Sequence, residues 1–261
     1  MVHYARPMRV ALVQEAPRPR DLEANAERAC AVLDSLAGRA DLVAFPELFL
    51  CGYTLERLDA IALTPDDPPL DRIRAAARAA GTAVVLGFAE RLADGVANSA
   101  LAVDATGAVA GCYRKTHLFG AERAAFVAGA SLEPFGLAGA RVGSMVCFDV
   151  EFPEVARTLA RRGAEVLLTI SANMAPFEVD HEIFVRARAL ESGLPHLYVN
   201  RTGEESGQRF VGASQVVDPD GRVIARAGAE PALVEAEVGT GGRGDARSES
   251  LSQLRPELYA S

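Results

Sequence analysis

The chain has 261 residues, 49% of them hydrophobic, and a formal net charge of −8. This length allows one large α/β domain or two small ones, and the negative charge argues against nucleic acid and anionic membranes as partners. No apolar run approaches the roughly 20 residues that a membrane helix needs. The N-terminus lacks the apolar core of a signal peptide, so we expect a cytoplasmic protein with no membrane partner.

The four cysteines and four histidines are dispersed along the chain. No two cysteines have the CxxC spacing of a zinc or redox site, and no two histidines have His-x3-His spacing. We therefore expect neither a metal nor another cofactor, and no disulfides.

The residues before position 120 begin with alternating strands and helices and continue as strands alone. We predict, in chain order, a strand at Met8–Gln14, a helix at Asp21–Ala37, a strand at Asp41–Phe45, a helix within Thr64–Ala80, and strands at Ala83–Glu90, Val96–Val103 and Val109–Tyr113. Apolar residues in the first helix recur at three- and four-residue spacing, as in an amphipathic helix. The last three strands have no helix between them, which predicts antiparallel pairing.

The stretch Arg141–Glu154 (RVGSMVCFDVEFPE) combines a buried strand with a candidate nucleophile. The apolar run stops at Cys147, and Phe152-Pro153 then allows a helix to begin. Backbone N–H groups at such a turn can hold an anion, and a helix N-terminus favours the thiolate over the thiol. We interpret Cys147 as a catalytic nucleophile.

Helices and strands alternate again after this stretch. We predict a helix at Pro153–Arg162, a strand at Val166–Ile170, a helix at Asp180–Glu191 with Ile183, Ala187 and Leu190 on one face, and strands at His196–Asn200, Phe210–Val217, Val223–Arg226 and Ala232–Val238, the second and third flanking a turn at Asp218–Gly221. Gly239–Glu249 is typical of a flexible loop, and Leu251–Tyr259 resumes some apolar character. The pattern predicts helices layered on sheets in a single domain, 1–261, of which 239–261 form a C-terminal loop and tail.

Three polar side chains lie at or just after the ends of predicted strands: Glu47, Lys115 and Cys147. Strand ends are where α/β folds build their sites. A cysteine nucleophile needs a base for its proton and a cation or N–H donors for an oxyanion, and Glu47 and Lys115 are of the right types. Acids near Cys147 raise a thiol pKa and Lys115 lowers it. The residues alone leave open whether the thiol ionises or shares one proton with Glu47.

Three motifs carry these residues in order and resemble the nitrilase superfamily of carbon–nitrogen hydrolases. They are Phe45-Pro46-Glu47-Leu48, Tyr113–Phe119 (YRKTHLF) and Cys147–Glu154 (CFDVEFPE), and the resemblance extends over roughly residues 8 to 238. It implies an α/β fold, an α-β-β-α sandwich, in a homodimer or higher homo-oligomer. It also implies Cys147 as nucleophile, Glu47 as general base, and Lys115 with the backbone N–H of Phe148 as oxyanion donors. Glu122 matches the second glutamate of amidase-type members, which orients the substrate amide and the attacking water.

The resemblance also bears on the substrate. True nitrilases resemble one another in Cys-Trp-Glu, whereas this chain has Cys147-Phe148-Asp149, which favours a small carboxamide cleaved to carboxylate and ammonia through a cysteine thioester. N-carbamoyl (ureido) compounds and nitriles remain alternatives, as does a catalytically silent binding protein of the same fold. The candidate substrate-binding residues are Tyr53, Phe148, Glu151, Asn173 and Phe177.

Glu151 stands where many relatives have an arginine. Pointing into the pocket, it would favour a cationic or amine-bearing substrate; the alternative is an acid stabilised by a helix N-terminus. His117 would be the base of a Cys-His enzyme, although the resemblance gives that role to Glu47. We interpret His181 and His196 as a helix-surface and a strand residue. We expect Cys30, Cys51 and Cys112 to be packing residues.

Overall fold

A computed structural model describes residues 7–240 and 253–258 and contains two six-stranded sheets. The strands are β1 (Met8–Gln14), β2 (Leu42–Ala44), β3 (Ala83–Leu92), β4 (Gly95–Val103), β5 (Val109–Arg114), β6 (Phe135–Leu137), β7 (Ala140–Val146), β8 (Val166–Ser171), β9 (His196–Asn200), β10 (Thr202–Glu205), β11 (Gln208–Val211), β12 (Gln215–Val217), β13 (Val223–Arg226) and β14 (Ala232–Val238). The first sheet has the order β14-β1-β2-β3-β4-β5 and the second β13-β12-β9-β8-β7-β6, while β10 and β11 form a separate hairpin.

Each sheet has a parallel centre and antiparallel edges. β1, β2 and β3 run parallel, and β3, β4 and β5 pair antiparallel, as their lack of connecting helices predicts. β7, β8 and β9 are the parallel strands of the second sheet. Parallel strands bring their carboxyl ends to the same edge, so the residues that follow β2 and those that follow β7 can meet.

Helices cover the outer faces of the two sheets. They are α1 (Leu22–Ser35), α2 (Pro68–Ala80), α3 (Glu122–Ala125), α4 (Pro153–Arg161) and α5 (Glu178–Ser192). The inner faces pack on each other through Val10, Leu12, Val85, Val146, Leu168 and Val199. The first two helices pack on the first sheet, and the last two pack on the second. This is the predicted α-β-β-α sandwich, and the fold prediction is confirmed. No helix among the described residues is long and apolar enough to cross a membrane.

Two predictions in the second half are corrected. The single strand predicted at Phe210–Val217 is two strands, β11 and β12, in different sheets. The chain turns between them because Gly212 and Ala213 both have left-handed backbones, with φ of 62° and 59°. The apolar face predicted for α5 points outward: Ile183 is 58% exposed, whereas Val185 is fully buried. The predicted loop at 239–249 and tail at 251–259 lie mostly outside the described residues, which include a 3-10 turn at Pro256–Leu258.

Gly87 in β3 allows the chain after β2 to cross directly over the sheet. Its N–H donates to the carbonyl of Pro46, and Leu50 donates to its carbonyl. A Cβ at Gly87 would lie 2.5 Å from the Pro46 oxygen and closer still to the backbone nitrogen of Leu48. Since these contacts are backbone atoms, they cannot move aside cheaply, and the close approach fixes Glu47 above the sheet.

Gly87→Ala is therefore expected to lower the free energy of unfolding by about 1–3 kcal/mol, the usual cost of overpacking, and to reduce activity through displacement of Glu47. Urea unfolding and kcat measure the two effects. Gly136→Ala is the matched control, since Gly136 is also in a strand but has no heavy atom within 4 Å of the point that a Cβ would occupy. Equal stability of the two variants would contradict the prediction.

Candidate active site

Lys115 lies between two buried glutamates at one edge of the sandwich. Its Nζ is 2.7 Å from Glu47 Oε1 and 2.8 Å from Glu122 Oε2. Both glutamate side chains are fully buried, and that of Lys115 is 1% exposed. Buried charges need such partners because desolvation is costly. The three residues come from the ends of β2 and β5 and from the start of α3. The fold thus brings together Glu47, Lys115 and Glu122, which the sequence analysis had named as candidate catalytic residues.

Hydrogen bonds hold the Glu47 carboxylate in one orientation. Asn98 Nδ2 donates to Oε1 at 2.7 Å, and the backbone N–H of Ala172 donates to Oε2 at 2.8 Å. These donors come from β4 and from the segment after β8, and they were not anticipated from the sequence. The carboxylate is thus positioned from both sheets, as a group that transfers protons must be.

Glu122 is held just as firmly. Tyr53 donates its hydroxyl to Oε1 at 2.9 Å, and the backbone N–H of Phe119 donates to Oε2 at 2.8 Å. Burial raises the pKa of Glu122, while the Lys115 ammonium acts in the opposite direction. Tyr53, a predicted substrate-binding residue, therefore also orients a buried acid.

Cys147 begins a 3-10 turn, Cys147–Glu151, directly after β7. Its backbone is left-handed, with φ of 47°, an uncommon conformation for a residue with a side chain. Such local strain is often found at functional sites. The sharp turn places the thiol in a pocket lined also by Lys115.

The residues left open whether the Cys147 thiol ionises, and the structure shows which groups act on its pKa. Helix α4 begins only at Pro153, so its N-terminus is not at the sulfur. Burial is the largest influence and raises the thiol pKa, Glu47 raises it further, and Lys115 lowers it; the net pKa lies above the ordinary value. The thiol is therefore protonated at neutral pH, which favours the alternative in which Cys147 gives its proton to Glu47 during attack.

Asp149 connects the Lys115 segment to the Cys147 turn. Its carboxylate accepts hydrogen bonds from Tyr113 Oη (2.9 Å), Thr116 Oγ1 (2.7 Å), and the backbone N–H groups of His117 (2.9 Å) and Val146 (3.0 Å). The sequence suggested that this acid would raise the Cys147 pKa. In the structure the Asp149 carboxylate is fully buried, and its hydrogen bonds give it a positioning role that was not predicted from the sequence.

All five predicted substrate-binding residues line the pocket that contains Cys147. The full lining is Tyr53, Lys115, Phe119, Cys147, Phe148, Glu151, Ala172, Asn173, Met174, Phe177 and His181. Asn173 uses its side-chain amide to donate to the carbonyl of Phe177 at 3.0 Å, so it also shapes the wall. The pocket is narrow, and the centre of a water-sized sphere can occupy about 20 Å³ of it. The pocket suits a small substrate.

The histidine predictions are partly wrong. His181 is not on the helix surface: it is 3% exposed, and its Nδ1 lies 2.8 Å from the hydroxyl of Tyr198. His117 Nδ1 lies 3.0 Å from Asp149 Oδ1, and its ring stacks on Phe152, so it is tied to the structural acid. His196 is a buried strand residue as predicted, and burial lowers its pKa to about 3.

The sequence also predicted no disulfides and no metal site. All four cysteines are free, with Cys51 buried and Cys30 and Cys112 partly buried among apolar side chains. Among the described residues, no three His, Cys, Asp or Glu side chains are grouped so that they could hold a metal ion.

Known proteins are similar to this chain in sequence and in fold. Residues 9–247 match the model of the carbon-nitrogen hydrolase family. The "Hydrolase in pqqF 5'region" of Pseudomonas protegens is 42% identical over 259 residues, covering 97% of this chain and 90% of that protein. An (R)-stereoselective amidase of Pseudomonas sp. is 39% identical over 223 residues, covering 85% and 81%.

Solved structures agree with the sequence comparisons. An amidase from Nesterenkonia sp. superposes with a TM-score of 0.87 at 32% identity, covering 97% of this chain and 95% of that one. A variant of that enzyme carries the acetamide moiety of fluoroacetamide on its active-site cysteine, and another is in complex with butyramide. The chain described here belongs to the carbon–nitrogen hydrolase family, the nitrilase superfamily, and is an enzyme of its amidase-like branch.

Proposed function

We propose that this enzyme hydrolyses a small carboxamide to a carboxylate and ammonia, with Cys147 as nucleophile and no cofactor. The observation that carries the proposal is that Cys147 and the Lys115 ammonium line one narrow pocket, and that two buried glutamates, Glu47 and Glu122, contact the Lys115 ammonium. A thiol, a fixed base and a fixed cation are the groups that acyl transfer from an amide requires.

Acylation uses the proton that Cys147 retains at neutral pH. The sulfur attacks the amide carbonyl as Glu47 takes the thiol proton, and the oxyanion forms beside Lys115 and the N–H of Phe148, near the start of the turn, where N–H groups lack helical partners. Collapse of the intermediate breaks the C–N bond. Glu47 gives its proton to the leaving nitrogen, so ammonia departs and a thioester remains.

Deacylation reverses the proton transfers. Glu47 takes a proton from water as the water oxygen attacks the thioester carbonyl. The C–S bond then breaks, Glu47 returns the proton to the departing Cys147 sulfur, and the carboxylic acid is released and ionises. Glu122, fixed by Tyr53 and Lys115, orients the substrate amide and then this water. Phe148, Phe177 and Asn173 contact the acyl part in the pocket.

The alternatives differ in the group that Cys147 attacks. A ureido carbon carries the same leaving nitrogen as an amide, so N-carbamoyl compounds are the second candidates. Nitriles are less favoured, since Phe148 stands where nitrilases resemble one another in tryptophan. Both carboxylate oxygens of Glu47 accept hydrogen bonds, from donors on two different sheets. Such a fixed base is needed for catalysis and not for binding alone, which argues against a catalytically silent binding protein.

Ammonia release from a panel of small amides, ureido compounds and nitriles tests the proposal, with Cys147→Ala as the inactive control. We expect amides to turn over fastest and mass spectrometry to find an acyl adduct on Cys147. Absence of ammonia from every compound with folded enzyme would contradict the proposal, and faster turnover of nitriles would overturn the choice of substrate.

We also propose that the chain is a single domain that works in the cytoplasm as a homodimer or higher homo-oligomer. Four free thiols suit a reducing compartment. The exposed apolar residues Val179 and Ile183 on α5 and Ile224 on β13 are a candidate surface for contact with a second copy. Light scattering after size-exclusion chromatography measures the mass; a monomer at micromolar concentration would contradict this part.

A further inference from the structure

Glu151 places a carboxylate in the pocket, and no lysine or arginine of the described residues pairs with it. It lies in the same 3-10 turn as Cys147, and both residues line the pocket. Its side chain is 27% exposed, and the ion-pair partner found for it among the described residues is His181, whose Nε2 is 3.6 Å from Oε1. That distance is too long for a hydrogen bond, so the carboxylate keeps its capacity to accept.

The neighbouring arginine does not neutralise this carboxylate. Arg188 donates to the backbone carbonyls of Val150 and Glu151, at 2.9 and 3.0 Å, and its guanidinium pairs with Glu191 at 3.0 Å. The Arg188 side chain thus binds the main chain at the end of the turn and does not bind the Glu151 carboxylate, which faces the pocket. His181 is itself held by Tyr198, which fixes the ring beside the carboxylate.

Three aromatic rings line the same pocket as this acid. Phe119 contacts Phe148 and Phe177 edge to face, with ring centroids 5.3 and 5.8 Å apart, and all three rings line the pocket. Ring faces attract cations, more strongly where water is excluded. The deeper part of the site adds to this preference, because Lys115 there faces two carboxylates, Glu47 and Glu122.

We propose, on the basis of the amidase function above, that the physiological substrate is a carboxamide whose acyl part carries a protonated amine, and that Glu151 binds this ammonium group. Cys147 and Glu151 are the first and last residues of one five-residue turn, and both line the same narrow pocket. A short aminoacyl chain spans the space between a carbonyl at the sulfur and an ammonium at the carboxylate. The substrate class is therefore a small amino-acid amide.

The test compares two substrates of matched shape, β-alaninamide and butyramide, in which an ammonium replaces a methyl group. At pH 7 we expect kcat/KM of the wild-type enzyme to be at least about tenfold higher for β-alaninamide, as for a charge-assisted hydrogen bond in a confined site. Glu151→Gln should bring the ratio of the two values close to one. Glu154→Gln removes the same charge from an exposed position and should leave the ratio as in the wild type.

A wild-type ratio of one or less, or an unchanged ratio in Glu151→Gln, would overturn the inference. Calorimetric binding of both amides to Cys147→Ala separates recognition from catalysis. Tighter binding of β-alaninamide supports the ammonium site even if neither amide is hydrolysed, in which case the proposed function fails instead. Equal or weaker binding of β-alaninamide rejects the site whatever the activity.

Discussion

Glu47→Gln is expected to lower kcat for carboxamide hydrolysis by roughly 10²–10⁴-fold, the range for loss of a general base. The effect should be large because the Cys147 thiol is protonated at neutral pH and has no other positioned acceptor in this mechanism. Both carboxylate oxygens of Glu47 accept hydrogen bonds, from Asn98, Lys115 and Ala172. A glutamine amide would turn its NH₂ toward one of these donors, so the melting temperature should also fall.

Glu90→Gln separates chemistry from stability. Glu90, in β3, is another buried glutamate, and it accepts from Arg114 at 2.7 Å and Ser99 at 2.8 Å, whereas Glu47 accepts from Lys115. We expect this variant to lose stability and to keep kcat within a few-fold of the wild type. Steady-state ammonia release and thermal unfolding of both variants make the comparison; equal kcat in Glu47→Gln and wild type would exclude Glu47 as the base.

Lys115→Met is expected to abolish measurable turnover and to lower the free energy of unfolding by about 3–5 kcal/mol near pH 8, as when one partner of a buried ion pair is removed. The physical reason is that Glu47 and Glu122 would be left as two buried carboxylates with no ammonium between them. Urea unfolding at pH 8 measures the loss.

The pH dependence of the Lys115→Met variant has a definite sign. Burial and the nearby Glu47 raise the folded-state pKa of Glu122, and Lys115 opposes this, so loss of the ammonium raises that pKa further above its value in the unfolded chain. Stability is then greatest below the unfolded pKa and falls as the pH rises through the folded one, so the deficit should shrink at pH 5.5. Lys115→Met/Glu122→Gln should regain part of it at pH 8. A deficit that is independent of pH would contradict this account.

The local sequence was sufficient for most of the secondary structure and for the candidate catalytic residues. β1, β7 and β9 are apolar runs bounded by polar or turn residues, and the Phe45–Leu48, Tyr113–Phe119 and Cys147–Glu154 motifs each place one polar side chain at a strand end. Those signals are short-range, because side-chain periodicity and turn chemistry act over a few residues.

The sequence failed where the outcome depended on contacts between distant segments. Gly212 and Ala213 divide one apolar run between two sheets. Helix α5 buries His181 and leaves Ile183 exposed, because the inner face of α5 contributes His181 to the pocket lining. Apolar pattern alone cannot show which polar side chains will find partners after folding.

What the sequence by itself determined was the layered fold, and it also supplied the candidate catalytic groups, Glu47, Lys115, Glu122 and Cys147. Only the tertiary structure decided the buried environment that raises the pKa of Cys147, the hydrogen bonds by which Asp149 links two loops, and the place of the Glu151 carboxylate in the pocket beside His181. The reason is that pKa values and charge pairing depend on burial and on distances of a few ångströms between groups remote in the chain.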